Sequence, residues 1–436
     1  MNRTTEAPPR ESYGKNTQGE IRVDEISVVD LFCGAGGLSA GMELAGFVSV
    51  LAIDSWDTAC ETFSSNHPAA VVWKHDLSAY TPEYLEEHPF PLQGDIGIVC
   101  GGPPCQGFSV AGRSLADDPR NFLYRNFLTI CRFLRPRWIV MENVPALLKH
   151  ETVSKSIITD FRNLTNDNSM KYDVVVRVVN AADYGVPQTR SRVCFIAKRG
   201  DVMVQNPFSS SYFFDPIFSR VTGLFGEPEY ITAWDAISDL PEIEAGQGGE
   251  EMDYSGPCET SYQSFMRGEL SVSDFFGAKG IDIGHYPSKF STAKKVYNHL
   301  AQDHNETLVE RFQNIPPGGS KADLARTRPD LLPPDGHDEQ GLTYGRLWFD
   351  KPAATLPANF SRPSGNRSIH PKNSRLITPR EAMRLSSFPD DYILRGGKSR
   401  NENRWVTLFR HCWPFISLEE SGKWTLFYEA LCRSCR

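Results

Sequence analysis

Residues 27–45 read Ser27-Val-Val-Asp-Leu-Phe-Cys-Gly-Ala-Gly-Gly-Leu-Ser-Ala-Gly-Met-Glu-Leu-Ala45. A short β-branched run ends in a turn with glycines at 34, 36 and 37, and a helix-like segment follows from 38 to 45. An apolar run without polar alternation suits a strand covered on both faces, and glycine lets the chain turn sharply out of it. The pattern repeats through the first 200 residues. Runs at 48–54 (VSVLAID), 96–101 (IGIVCG), 138–142 (WIVME), 173–179 (DVVVRVV) and 192–197 (RVCFIA) read as strands. Segments 58–65 and 122–134 read as helices between them. Strand–helix alternation of this kind predicts an α/β fold with a mostly parallel sheet and helices on both faces. Ligands of such sheets bind at the carboxyl ends of the strands, so the loops after each strand are where chemistry is sought.

In the first of these loops, Asp30-Leu-Phe-Cys-Gly-Ala-Gly-Gly37, the glycines allow a close approach to a bound molecule, and the helix start behind them favours an anion. The spacing is G-x-G-G rather than the dinucleotide G-x-G-x-x-G, which fits a nicotinamide cofactor poorly. The second strand ends at Asp54, an acid about 20 positions on, where a ribose is commonly held; it reads equally well as a surface acid or a helix cap. Asp76 after residues 71–74 carries the same two readings. Three loop acids in succession favour an adenosine-bearing cofactor.

The segment Gly101-Gly-Pro-Pro-Cys-Gln-Gly-Phe-Ser109 leaves a strand directly. Pro103 and Pro104 stiffen it, and flanking glycines leave room for a substrate. A cysteine held still and reachable is what nucleophilic attack needs, so Cys105 reads as a nucleophile, whereas Cys33 and Cys100 suit the core. Glu142, at the end of the run 138–142, is a candidate general acid, with a structural capping acid as the alternative. In Gln188-Thr-Arg-Ser-Arg192, strand alternation would place Arg190 and Arg192 on one side, able to clamp a carbonyl oxygen or phosphate; a solvated edge is the alternative.

The chain of 436 residues has room for a catalytic domain and a smaller second one. It is 40% hydrophobic and 23% charged, with no apolar run long enough to cross a bilayer and no apolar core of a secretion signal at its start. A net charge of −8 argues weakly against a nucleic-acid partner, because binding depends on where basic groups sit. Ten scattered cysteines suit reduced thiols in a cytosol, and Cys432 with Cys435 reads as a terminal C-x-x-C without a second pair to make a metal site. The domain reading is a disordered tail over 1–25, a catalytic and cofactor-binding domain over 26–200, and an irregular second domain over 201–350. A segment at 351–395 then returns to the catalytic domain, ahead of an atypical tail at 396–436. Trp234, Phe265, Phe275, Phe276 and Tyr297 offer a small core for the irregular domain, and Pro379-Arg-Glu marks a helix start.

In this order, these motifs resemble the cytosine-5 DNA methyltransferases, most of all the bacterial restriction-modification members, over roughly residues 26 to 395. Gly102–Ser109 is similar to the nucleophile loop, Glu142-Asn-Val144 to the acid motif and Gln188–Arg192 to Q-x-R-x-R. Residues 375–389 (RLITPREAMRLSSFP) are similar to a later structural helix. The resemblance implies a Rossmann-like S-adenosylmethionine-dependent methyltransferase sheet with a smaller irregular target-recognition domain. It implies S-adenosylmethionine bound by Asp30, Phe32, Gly34, Gly36, Gly37, Asp54, Asp76 and Pro103, with Phe32 on the adenine, Asp54 on the ribose and Asp76 at the adenine amino group. It further implies addition of Cys105 to C6 of a flipped cytosine in double-stranded DNA, Glu142 at N3, and Arg190 and Arg192 near O2 or supporting the loop. A monomer in the bacterial cytoplasm, at the nucleoid and paired with a cognate restriction endonuclease, completes that expectation. No metal is implied.

One motif departs from the resemblance. The family's Gly-Asn-Ala/Ser-Val-Pro helix is absent from the tail after Tyr392, which reads GGKSRNENRWVTLFRHCWPFISLEESGKWTLFYEALCRSCR from residue 396. A diverged or replaced C-terminus would weaken cofactor binding. Two rivals share the pattern: a tRNA cytosine methyltransferase, and an inactive relative that binds DNA.

Overall fold

The computed structural model describes residues 21–24, 26–104, 123–165, 171–201, 229–280, 288–332, 344–357, 360–363 and 366–396. Cys105, the tail after residue 396, Cys432 and Cys435 lie outside the described residues. By compactness the described chain falls into two units, residues 21–179 with 191–201, and residues 180–190 with 229–396.

The first unit is built on seven strands: β1 Ser27–Leu31, β2 Val48–Asp54, β3 Val71–Lys74, β4 Ile98–Gly101, β5 Trp138–Asn143, β6 Tyr172–Asn180 and β7 Ser191–Arg199. Their order is β3-β2-β1-β4-β5-β7-β6. Pairs β1–β2, β2–β3, β1–β4 and β4–β5 are parallel, and β7 runs antiparallel to β5. The predicted strand over 48–54 coincides with β2, and the others differ at their ends by one or two residues. The helices are α1 Gly37–Leu44, α2 Asp57–Asn66, α3 Leu123–Leu134 and α4 Glu151–Arg162. Val29, Leu31, Val50, Ile53, Val99, Phe127, Ile139 and Phe195 are in its buried core, as the unbroken apolar strands require.

From β1 the chain builds outward to β2 and β3 on one side, then crosses to β4 and β5 on the other. That reversal creates a crevice between the carboxyl ends of β1 and β4, the position where open α/β sheets bind ligands. The pairing is close. Leu31 lies opposite Gly101, and a Cβ on Gly101 would stand 2.1 Å from the Leu31 carbonyl oxygen, so no side chain fits there.

The second unit is less irregular than its sequence suggests. Short helices occupy Ala233–Ile237, Ser261–Met266, Val272–Gly277, Lys321–Thr327 and Pro379–Arg384. Each starts with a capping box, a side-chain and backbone exchange between Thr232 and Asp235, Thr260 and Gln263, Ser271 and Asp274, Ser320 and Asp323, and Thr378 and Glu381. Phe265, Phe275 and Phe276 are buried as expected, while Trp234 and Tyr297 are only half-buried. The larger surprise is charge: Arg375, Arg380 and Arg384 are among the largest fully buried side chains. Arg375 makes a fork on Glu381 with two contacts of 2.8 Å, and Arg384 lies between Asp239 and Asp390. Buried cations of this kind require such partners.

Candidate active site

At the end of β1 the chain takes three left-handed steps, Phe32 at φ 58°, Gly34 at 55° and Gly36 at 88°. Positive φ is free for glycine but strained for phenylalanine, a cost of order 1–3 kcal/mol that the neighbouring structure must offset. It leaves the Phe32 ring half-buried against the core. Gly36 caps α1, and Gly37 begins it. Asp30 is buried, with its carboxylate accepting the Ser39 hydroxyl of α1 at 2.7 Å, which fastens the helix to the strand behind the turn.

Asp54, nearly buried at the end of β2, joins two loops. One oxygen accepts the Gly34 amide and the other the Trp56 amide, both at 3.0 Å. Trp56 itself precedes α2 as its N-cap and is 38% exposed, an apolar surface beside a buried carboxylate. The sequence reading missed it; its signal was a tryptophan two residues after the strand-ending acid. Asp76 is exposed, two residues beyond the end of β3, and accepts the Ser78 amide at 2.9 Å, so one of its oxygens caps the short turn Leu77–Ala79. A glycine turn, a carboxylate within it and an open indole suit a nucleoside: hydroxyls for Asp54 and a flat base for Trp56.

Across the crevice, β4 runs into Gly102 and Pro103, both buried. Asn143, at the end of β5, donates its amide to the Pro103 carbonyl at 2.9 Å and accepts the Val144 amide at 2.9 Å. Glu142 is 5% exposed and faces Cys194 across the β5–β7 pair. Arg192, two residues before Cys194 on β7, is its diagonal neighbour, and the guanidinium Nε stands 2.6 Å from a Glu142 oxygen. Pro103, Glu142 and Arg192 therefore share one end of the sheet with Phe32, Gly34 and Asp54.

Arg190 is placed differently from the expectation. It lies beyond the short strand Gln188–Thr189 and before β7, so strand alternation does not relate it to Arg192. Buried in the second unit, it donates to the Leu356 carbonyl at 3.4 Å. Gln188 is also buried there. Its amide nitrogen donates to the Leu385 carbonyl and the Ser386 hydroxyl at 3.1 Å, and its oxygen accepts the Leu356 amide at 3.2 Å. The Q-x-R-x-R stretch thus divides, with its first three residues in one unit and its last two in the other.

Burial pushes the thiols of Cys33, Cys100, Cys131 and Cys194 well above their ordinary pKa, which makes them inert core groups. Among the described residues no group of three His, Cys, Asp or Glu side chains is placed to hold a metal, and no helix is long and apolar enough to cross a membrane.

Comparison with known proteins identifies the family. The family model described as C-5 cytosine-specific DNA methylase matches residues 26–405. Type II methyltransferase M.DdeI of Desulfomicrobium norvegicum is 35% identical, over 86% of this chain and 81% of its own. Type II methyltransferase M.AgeI of Thalassovita gelatinovora is 31% identical, over 86% and 94%. The crystal structure of an E. coli prophage-encoded protein assigned as a DNA modification methyltransferase shares the fold with a TM-score of 0.64 at 24% identity, covering 92% of this chain and 99% of that one. The chain therefore belongs to the C-5 cytosine-specific DNA methylase family, enzymes that move a methyl group from S-adenosylmethionine to C5 of cytosine in DNA.

Proposed function

We propose that Cys105 attacks C6 of a cytosine flipped out of double-stranded DNA, with Glu142 and Arg192 holding the base. The observation that carries this reading is the Glu142–Arg192 pair at the end of the sheet where Asn143, next to Glu142, holds the carbonyl of Pro103, two residues before Cys105. Cytosine C5 is a poor nucleophile while the 5–6 double bond is conjugated. A thiolate added to C6 removes that conjugation, and a proton shared between Glu142 and N3 takes up the charge that develops on the ring. S-adenosylmethionine, when bound, supplies an electrophilic methyl group for C5. Asp54 would hold its ribose, Phe32 and the exposed Trp56 would cover its adenine, Asp76 would meet the amino group, and the turn at Gly34, Gly36 and Gly37 would leave room for the rest. Asp30 supports from behind through Ser39. A base then removes the C5 proton, the electrons re-form the double bond, and the Cys105 sulfur leaves.

Residues 201–350 read the bases around the target in the major groove, with residues 351–395 bringing the chain back towards the catalytic domain and Arg190 supporting the segment at Leu356. The protein acts as a monomer in the bacterial cytoplasm, protecting a site that a cognate restriction endonuclease cuts. DNA carrying 5-fluorocytosine tests the chemistry, because fluorine blocks removal from C5 and leaves the enzyme attached. With S-adenosylmethionine present, a denaturing gel is expected to show a protein–DNA adduct that Cys105→Ser abolishes. An adduct that survives Cys105→Ser refutes the assignment, and adduct formation on RNA but not DNA refutes the substrate.

A further inference from the structure

We propose that Asn143 is a positioning residue for the nucleophile loop, acting through the Pro103 carbonyl rather than on the substrate. The proposal rests on the reading of Cys105 as nucleophile and deepens it. Three observations converge. Asn143 is 5% exposed and ends β5 directly after Glu142. Both ends of its side chain amide are engaged, one donating to the Pro103 carbonyl and the other accepting the Val144 amide, each at 2.9 Å. On the other side, Gly101 at the end of β4 pairs with Leu31 of β1 so closely that an added Cβ would stand 2.1 Å from the Leu31 carbonyl oxygen, which leaves the strand end before Pro103 no room for a side chain.

The geometry gives Asn143 a role that its neighbours lack. Pro103 has no N–H, so the carbonyl is its only backbone polar group, and Pro104 has a locked φ. Fixing the Pro103 carbonyl therefore fixes the plane of the peptide from which the chain leaves towards Cys105, two residues on. The same side chain, through Val144, is tied to the strand end that carries Glu142. Asn143 thus ties the backbone two residues before the nucleophile to the strand end that carries the acid, and the placement of reacting groups matters at the scale of an ångström.

Asn143→Asp tests this with little change in shape. The carboxylate still accepts from Val144 but turns an oxygen on the Pro103 carbonyl, whereas the protonated acid regains a donor. Adduct formation with 5-fluorocytosine DNA is expected to slow about 10- to 100-fold at pH 7.5 under saturating DNA and S-adenosylmethionine, the range associated with small misplacements of reacting groups. Dissociation constants for both should stay within about threefold of wild type, a criterion that also checks folding. The ratio of variant to wild-type rate should rise as pH falls towards 5. A merely stabilising asparagine would leave that ratio flat. If Asn143→Asp fails to fold, Asn143→Ser carries the test, since its shorter hydroxyl falls short of Pro103 and the same slowing is expected. A wild-type rate in the folded variant, or a flat ratio, overturns the proposal. An adduct retained in Cys105→Ser would instead show that the nucleophile assignment had failed.

Discussion

Replacing Asp54 with asparagine should weaken S-adenosylmethionine binding while leaving the sheet intact. Each carboxylate oxygen of Asp54 accepts one backbone amide, from Gly34 in the first loop and from Trp56 in the second, both at 3.0 Å. Asparagine can serve one of them, but its NH2 then faces the other amide, donor against donor. The turn and the indole lose their common anchor, and in the role proposed for Asp54 the cofactor's ribose would lose a charged acceptor. A hydrogen bond to a charged group contributes about 1.5–3 kcal/mol net. One such loss raises the dissociation constant about 12- to 150-fold. Titration calorimetry of the purified chain with S-adenosylmethionine measures this directly, with circular dichroism confirming the fold. Asp76→Asn should have the smaller effect, since Asp76 is exposed and one of its oxygens is bound to Ser78. An Asp54→Asn protein that is folded and binds within about twofold of wild type would refute the reasoning.

Arg192→Met leaves Glu142 buried without the cation 2.6 Å away, a change that costs about 3–5 kcal/mol when a buried pair is broken from one side. The double variant Arg192→Met with Glu142→Gln should recover much of that stability in urea unfolding, though not adduct formation; no recovery would mean that the pair is not coupled. His370 makes the second unit sensitive to acid. Its Nδ1 accepts the Lys372 and Asn373 amides at 3.2 and 2.9 Å, and its Nε2 lies 3.5 Å from Glu381. Burial first, then the nearby Arg375 and Arg346 charges, pull its pKa from 6.5 down to about 3, against the opposing pull of Glu381. The unfolded chain therefore takes up the proton first, so this contribution is complete above pH 6.5 and is lost as pH falls towards 3. Between pH 7.5 and 5.5 the loss is about 1.4 kcal/mol from this one group. His370→Gln should flatten that part of the pH dependence of the urea midpoint, and an unchanged slope would count against the assignment.

Much of the first unit was legible in the chain because its signals are local. β-branched runs without polar alternation marked β1, β2, β4, β5 and β7 to within two residues, and glycines marked the turn after β1. The helix starts of the second unit were equally local. Thr232-x-x-Asp235, Thr260-x-x-Gln263, Ser271-x-x-Asp274 and Ser320-x-x-Asp323 are capping boxes written in four residues each, but the surrounding glycines, prolines and aromatics drew the reading away from them.

Sequence alone determined the strand and helix series, and motif resemblance added the chemistry that its loops carry, because hydrophobic period, turn residues and motif spacing act between neighbours in the chain. Tertiary structure decided how the acids divide, with Asp30 fastened to Ser39, Asp54 joining two loops and Asp76 left exposed. It also decided that Arg192 meets Glu142 while Arg190 is buried against Leu356, and that arginines rather than aromatics alone fill the second unit's interior. These outcomes depend on strand order, register and the partners of buried charges. Each is set by residues distant in the chain, so no local pattern contains them.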